Sequence, residues 1–281
     1  MATVTPFRPD GELDSDAVAP LFGRLLDAGV DGVFVNGTTG EFVALDDDER
    51  AFTVAAALNV FGPDRVIAHI GAADARHAGR LARQSADLGA QRLAAITPYY
   101  LPSGPQGLRG YYESICAAAP EAELFVYLFE QRTGLVVSPH EFAGLATIPG
   151  VVGAKVSGQP ADRVIEYASA VPGAVVYAGN DRAFADVVAG GAAGVVSGTA
   201  GVFPAPWVTM AAALRSGDAR AVAGAQVAID RASDVFAAGE LDHLKGALAE
   251  FGLPGGPVRV ALDGPDGAGL QRIRAAADLL G

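Results

Sequence analysis

Lys155 stands inside VVGAKVSG, Val151 to Gly158, a short apolar run that reads as a buried strand. Lysine is among the residues least often fully buried, because desolvating an ammonium is costly. Two chemistries resolve that cost. A buried carboxylate can neutralise the charge in a structural ion pair. Alternatively, burial lowers the pKa, by up to roughly 3–5 units in extreme cases, and leaves an amine able to form a Schiff base. Position alone leaves both open. The other lysine, Lys245 in DHLKGALAEFG, lies on an amphipathic helical stretch and is expected to face solvent or to be paired.

Other segments offer chemistry at the ends of apolar runs. In NGTTGEFVAL, Gly37 and Gly40 permit a tight turn, and Thr38 and Thr39 set two hydroxyls beside backbone N–H groups. Such a turn can hold a carboxylate or phosphate without a charged side chain; an ordinary strand-to-helix turn is the equal alternative. TPYY, Thr97 to Tyr100, supplies packing residues or proton carriers. FVYLFEQRTG carries Tyr127 within a run and Glu130 and Arg132 at its exit. A tyrosine there is a core residue or a catalytic one. The arginine can clamp a carboxylate bidentately or pair with Glu130.

Several further features have structural readings. In LDDDER, Asp46 reads as an N-cap and Glu49 as its capping-box partner, rather than as metal ligands. His69, His77, His140 and His243 share no metal-ligand spacing. AGGAAGVVSG lacks the Lys-Ser/Thr of a P-loop. Cys116 reads as a small apolar residue on a helix, not a nucleophile. No metal and no cofactor is expected.

Eight apolar runs must position these groups: Ala2–Thr5, Gly32–Asn36, Arg65–Ile70, Arg92–Thr97, Leu124–Leu128, Val151–Val156, Ala174–Ala178 and Gly194–Gly198. Most are continuous rather than alternating, as parallel strands covered on both faces are. Helical stretches separate them. SDAVAPLFGRLLDAGV puts Val18, Leu21, Phe22, Leu25 and Leu26 on one face, with Ser15 or Asp16 as N-cap. Eight strands alternating with helices predict an α/β fold, a (β/α)8 TIM barrel, with the site at the C-terminal ends of the strands. A doubly wound sheet is the alternative, weakened by the absence of an early G-x-G-x-x-G. Residues 1–203 read as the barrel. Residues 204–281 read as added helices packed on it in the same domain: Ala205–Ser216, Ala219–Gly239, Leu241–Gly252 and Ala268–Leu280.

The 281 residues carry a formal net charge of -12, which argues against nucleic acid as a partner. A single cysteine allows no internal disulfide, and the N-terminus shows no apolar signal region. No apolar run is long enough to span a bilayer. A soluble cytoplasmic protein acting on a small molecule is expected.

Taken in order, TPFRPDG, GTTGE, TPYY, YLFEQRTG, GAKVSG, YAGND, GVVSG and GLPGGPVR resemble motifs of the dihydrodipicolinate synthase/N-acetylneuraminate lyase family of pyruvate-dependent class I aldolases. The resemblance runs over nearly the whole chain. It implies a barrel with extra C-terminal helices, assembled as a dimer or tetramer. It implies that Lys155 forms the Schiff base with a 2-oxo acid. Gly37, Thr38 and Thr39 would hold the pyruvate carboxylate, and Tyr127 would carry protons. Thr39 would link Tyr127 to Tyr100, a residue the neighbouring subunit supplies in family dimers. Arg132 would sit where synthases bind the second substrate's carboxylate, and Glu130 and Val196 would line the substrate site. A phenol ordinarily titrates at about 10, so such a relay is what lets it exchange protons at neutral pH.

Some positions depart from the synthase pattern. Leu128, Phe129 and Glu130 replace the usual Asn-Val-Pro. Val156, Ser157 and Gly158 follow the lysine where an acidic residue is common, and Phe42 predicts no feedback by lysine. The expected function is condensation of pyruvate with an aldehyde, or cleavage of a 2-oxo acid to pyruvate and aldehyde. Alternatives are a 2-keto-3-deoxy sugar-acid aldolase or dehydratase and, in another class, a non-catalytic small-molecule sensor.

Overall fold

The computed structural model describes residues 1–235 and 240–280, in two compact units, Met1–Arg65 with Ser197–Gly281 and Val66–Val196. The first unit opens with α1 (Ser15–Asp27), β1 (Val33–Val35) and α2 (Asp47–Phe61). Val18, Leu21, Phe22 and Leu25 form the buried stripe of α1 at helical spacing. The helix begins earlier than its sequence suggests. Asp14, not Ser15 or Asp16, takes the N-cap position, without a side-chain cap bond. Its place is fixed instead by its N–H bond to the Pro6 carbonyl (3.0 Å) and by the Phe7–Leu13 bridge beside it.

The expected first strand, Ala2–Thr5, is reduced to one parallel bridge, Ala2 with Phe34. The Ala2 N–H donates to the Ser197 carbonyl (2.7 Å), and the Phe34 N–H donates to that of Met1 (2.7 Å). Pro6 then removes a donor and stops further pairing.

The second unit alternates strands and helices: β2 (Val66–His69), α3 (Ala75–Asp87), β3 (Arg92–Ile96), α4 (Pro105–Ala118), β4 (Glu123–Leu128), α5 (Glu130–Thr133), α6 (Pro139–Leu145), β5 (Val151–Val156), α7 (Ala161–Ala170), β6 (Val175–Ala178), α8 (Phe184–Ala189) and β7 (Gly194–Val195). These strands pair in parallel and in sequence order. Each carries buried residues at consecutive positions, which is why the runs are continuous in the sequence. Positive φ at Gly89 (+99°) and Gly191 (+96°) turns the chain just past α3 and α8.

The first unit resumes with α9 (Ala205–Ser216), α10 (Ala219–Val235), α11 (Leu241–Glu250) and α12 (Gly267–Leu280). The last four positions of the expected 219–239 helix lie outside the described residues. Leu21, Val202, Phe203, Leu244, Leu248 and Ile273 form one core that ties α11 and α12 to α1. No helix among the described residues is long and apolar enough to cross a membrane.

Gly153 sets how closely β5 meets β6. A Cβ there would lie 1.9 Å from the Val175 carbonyl oxygen, on the partner strand's backbone. Gly153→Ala is therefore expected to destabilise the fold by about 1–3 kcal/mol, the usual cost of overpacking. Chemical denaturation at equilibrium checks this.

Candidate active site

In the second unit, the parallel register places Tyr127 of β4 opposite Lys155 of β5. Ile96 of β3 lies opposite Tyr127, and Tyr177 of β6 opposite Lys155. Side chains paired this way share one face of a sheet. Lys155 is 5% exposed and Tyr127 1%. The Lys155 Nζ stands 4.1 Å from the centroid of the Tyr127 ring, inside the range of about 6 Å for attraction between a cation and an aromatic face. His69, at the end of β2, meets the same ring edge-on at 5.8 Å. Its Nε2 accepts the Ile96 N–H (3.2 Å), so the proton of the neutral imidazole is on Nδ1.

The exit of β4 is a single helical turn, α5, which exposes Glu130 and Arg132. The pairing between them, one of the two alternatives for Arg132, does not form. The Glu130 carboxylate accepts from Gln159 (3.3 Å), while the Arg132 guanidinium stacks over Phe129, 5.7 Å from its centroid. Phe129 in turn lies 6.2 Å from the Tyr127 ring. Leu128, Glu130, Val156, Ser157, Gln159 and Arg163 help line a cavity of about 70 Å³ whose walls include neither Lys155 nor Tyr127. Tyr100 is 93% exposed and has φ +76°, a rare conformation for an aromatic residue. Val196 is buried, its N–H bonded to the Ala178 carbonyl.

In the first unit, GTTGE is a tight turn whose glycines are set by close packing. A Cβ on Gly37 would stand 2.8 Å from the Phe34 ring, and one on Gly40 3.2 Å from both the Asn36 Cα and the Thr3 carbonyl oxygen. The turn is closed by Gly40 N–H to Gly37 O and Glu41 N–H to Thr38 O, both 3.1 Å. The Thr5 hydroxyl donates to the Gly40 carbonyl (2.8 Å). Thr39 is half-buried, and neither its N–H nor its hydroxyl bonds another group among the described residues. The N–H and hydroxyl of Thr39 are therefore open donors on this turn. Asp46 and Glu49 form the expected capping box at the start of α2.

Of the two readings of Lys245, solvent-facing or paired, the second holds, with Glu41 as the partner that the sequence did not single out. Lys245 does not face solvent. Its Nζ lies 2.6 Å from Glu41 Oε1, with side chains 2% and 0% exposed. The ammonium also donates to the Pro257 carbonyl (2.7 Å) and sits 4.1 Å above the Phe7 ring. Burial pushes its pKa down to about 8, against the opposing pull of Glu41. The spacing Leu241, Lys245, Leu248 puts the lysine on the inner stripe of α11, and that was the available signal. Cys116 is half-buried on α4, and burial pushes its thiol up to about 11, which keeps it protonated near neutral pH.

Residues 1–264 match the dihydrodipicolinate synthetase family. A 4-hydroxy-tetrahydrodipicolinate synthase 2 of Streptomyces coelicolor is 34% identical over 266 residues, covering 94% of this chain and 88% of the relative. A 4-hydroxy-tetrahydrodipicolinate synthase of Acidothermus cellulolyticus is 33% identical over 276 residues, covering 97% and 89%. The crystal structure of dihydrodipicolinate synthase from Thermotoga maritima aligns with TM-score 0.92 at 27% identity, covering 100% of this chain and 97% of that one. A Ruminococcus gnavus sialic acid aldolase aligns with TM-score 0.91 at 24% identity, covering 99% and 95%, a likeness of fold. The fold is thus the (β/α)8 barrel with added C-terminal helices that the alternating pattern predicts.

Proposed function

The chain belongs to the dihydrodipicolinate synthetase family, whose members are lyases of the Schiff-base, class I aldolase type, and from that premise we propose that Lys155 is its reactive amine. The observation that carries the assignment is the Tyr127–Lys155 register, with the amine held against an aromatic face. The unprotonated amine attacks the ketone carbon of pyruvate, and the carbonyl oxygen, once protonated, leaves as water. The resulting iminium withdraws electrons, so a methyl proton departs and an enamine forms. The enamine carbon bonds to the aldehyde carbon, and water then releases the product and the free amine. Cleavage runs the same steps in reverse.

Tyr127 transfers the protons to and from oxygen in these steps, with the hydroxyls of Thr39 and Tyr100 as its relay. Gly37, Thr38 and Thr39 hold the carboxylate of the 2-oxo acid, supported by the open N–H and hydroxyl of Thr39. The exposure and left-handed backbone of Tyr100 support its use by a second copy of the chain, in a dimer or tetramer. Arg132 binds the second substrate's carboxylate, and the absence of a carboxylate partner for it among the described residues supports that role.

Enzyme in deuterium oxide is expected to exchange the methyl protons of pyruvate, followed by proton NMR. Lys155→Ala should abolish exchange, and Tyr127→Phe should slow it by about 10²–10⁴-fold, the usual worth of a positioned proton carrier. Exchange surviving in Lys155→Ala would overturn the assignment.

A second reading concerns the acceptor. The change of the usual Asn-Val-Pro to Leu128, Phe129 and Glu130 favours a hydroxylated aldehyde over aspartate semialdehyde, because it sets an exposed carboxylate at the exit of β4 that accepts from hydroxyls and repels a second carboxylate. Steady-state turnover of pyruvate with aspartate semialdehyde and with short sugar aldehydes separates the two. The synthase reading predicts that Arg132→Ala impairs the semialdehyde reaction. The sugar-acid reading predicts faster turnover of the sugar aldehydes, and its loss in Glu130→Ala.

A further inference from the structure

We infer that Lys245 is a positioning residue for the GTTGE loop, aiming the loop's donors at the substrate carboxylate by fixing the far end of the loop through Glu41. The inference rests on the reading of that loop as the carboxylate site, and it adds a residue from the C-terminal helices.

Glu41 is the last residue of the loop and has φ +56°, a conformation unusual for a side chain of its size. Its carboxylate is held from several directions. Oε2 accepts the N–H groups of Arg259 (2.7 Å) and Val260 (3.0 Å), and Oε1 is left to the Lys245 ammonium at 2.6 Å. Lys245 is itself held by the Pro257 carbonyl and the Phe7 ring. The Arg259 guanidinium lies 4.1 Å from the same ring and clasps both carboxylate oxygens of Glu49 (2.6 and 2.5 Å). It also donates to the carbonyls of Gly11 (2.6 Å) and Ala44 (2.9 Å). Gly256 permits this contact, since a Cβ there would fall 1.7 Å from the Phe7 carbonyl oxygen.

A buried ion pair is a weak source of net stability, because desolvation offsets the attraction. Its geometric effect is large, because each charge has one low-energy place to be. Two residues before Glu41, Thr39 carries the unpartnered donors. The Glu41 N–H also closes the turn onto the Thr38 carbonyl. A shift of the Glu41 carboxylate therefore moves the backbone that aims those donors.

The test measures borohydride trapping of the imine with pyruvate and with methyl pyruvate, which has the same ketone without the negative charge. Glu41→Asp keeps the charge balance, and so the fold, but withdraws the carboxylate by one methylene. Lys245→Met removes the ammonium, and circular dichroism and thermal melting verify its fold. The expected result in Glu41→Asp, and in Lys245→Met if it folds, is a half-saturating pyruvate concentration about ten-fold higher, with the maximal trapping rate and the methyl pyruvate kinetics little changed. Unchanged pyruvate kinetics in Glu41→Asp, or an equal loss with both ketones, would overturn the positioning role. Wild-type enzyme that does not prefer pyruvate to its ester would instead remove the carboxylate reading of the loop, and the inference with it.

Discussion

The parallel register between β4 and β5 is the constraint on which the proposed chemistry depends. It sets Tyr127 directly opposite Lys155, and the pleat sends both side chains to the same face. Slipping the pairing by one residue would send one of the two to the opposite face. Close approach of β5 to β6 at Gly153 holds the other edge of the strand. The lysine is thus placed by backbone pairing, on a regular element with little freedom, as a reacting group should be.

The two lysines of the chain face the same physical difficulty, and each is buried beside an aromatic ring. Lys245 has a carboxylate at 2.6 Å, so its charge is matched. Lys155 has the Tyr127 ring at 4.1 Å from its Nζ, within reach of cation–π attraction. The ion-pair explanation offered for one buried lysine is thus realised in Lys245, while the Schiff-base explanation is what we propose for Lys155.

Much of this was legible in the sequence because the signals are local. Continuous apolar runs announced the strands, and the capping box at Asp46 and Glu49 followed from spacing alone. The losses came where a distant partner decides. The run Ala2–Thr5 reads as a strand, yet its pairing ends after one bridge. Lys245 read as solvent-facing or paired, and its partner stayed hidden because Glu41 lies 204 positions earlier in the chain. Arg132 and Glu130, neighbours in sequence, were natural candidates for a pair. A one-turn helix instead sends the arginine to Phe129 and the carboxylate to Gln159. Lys155 and Tyr127 stood out in the sequence and lie opposite each other in the sheet, while the framework holding the GTTGE loop did not stand out.

Two buried lysines make one measurement decisive: reduction with borohydride in the presence of pyruvate, followed by peptide mass mapping. A reduced pyruvate adduct on the peptide containing Lys155, with the peptide containing Lys245 unmodified, is the expected result. An adduct on Lys245, or no adduct under conditions that support turnover, would contradict the assignment of Lys155 as the Schiff-base residue.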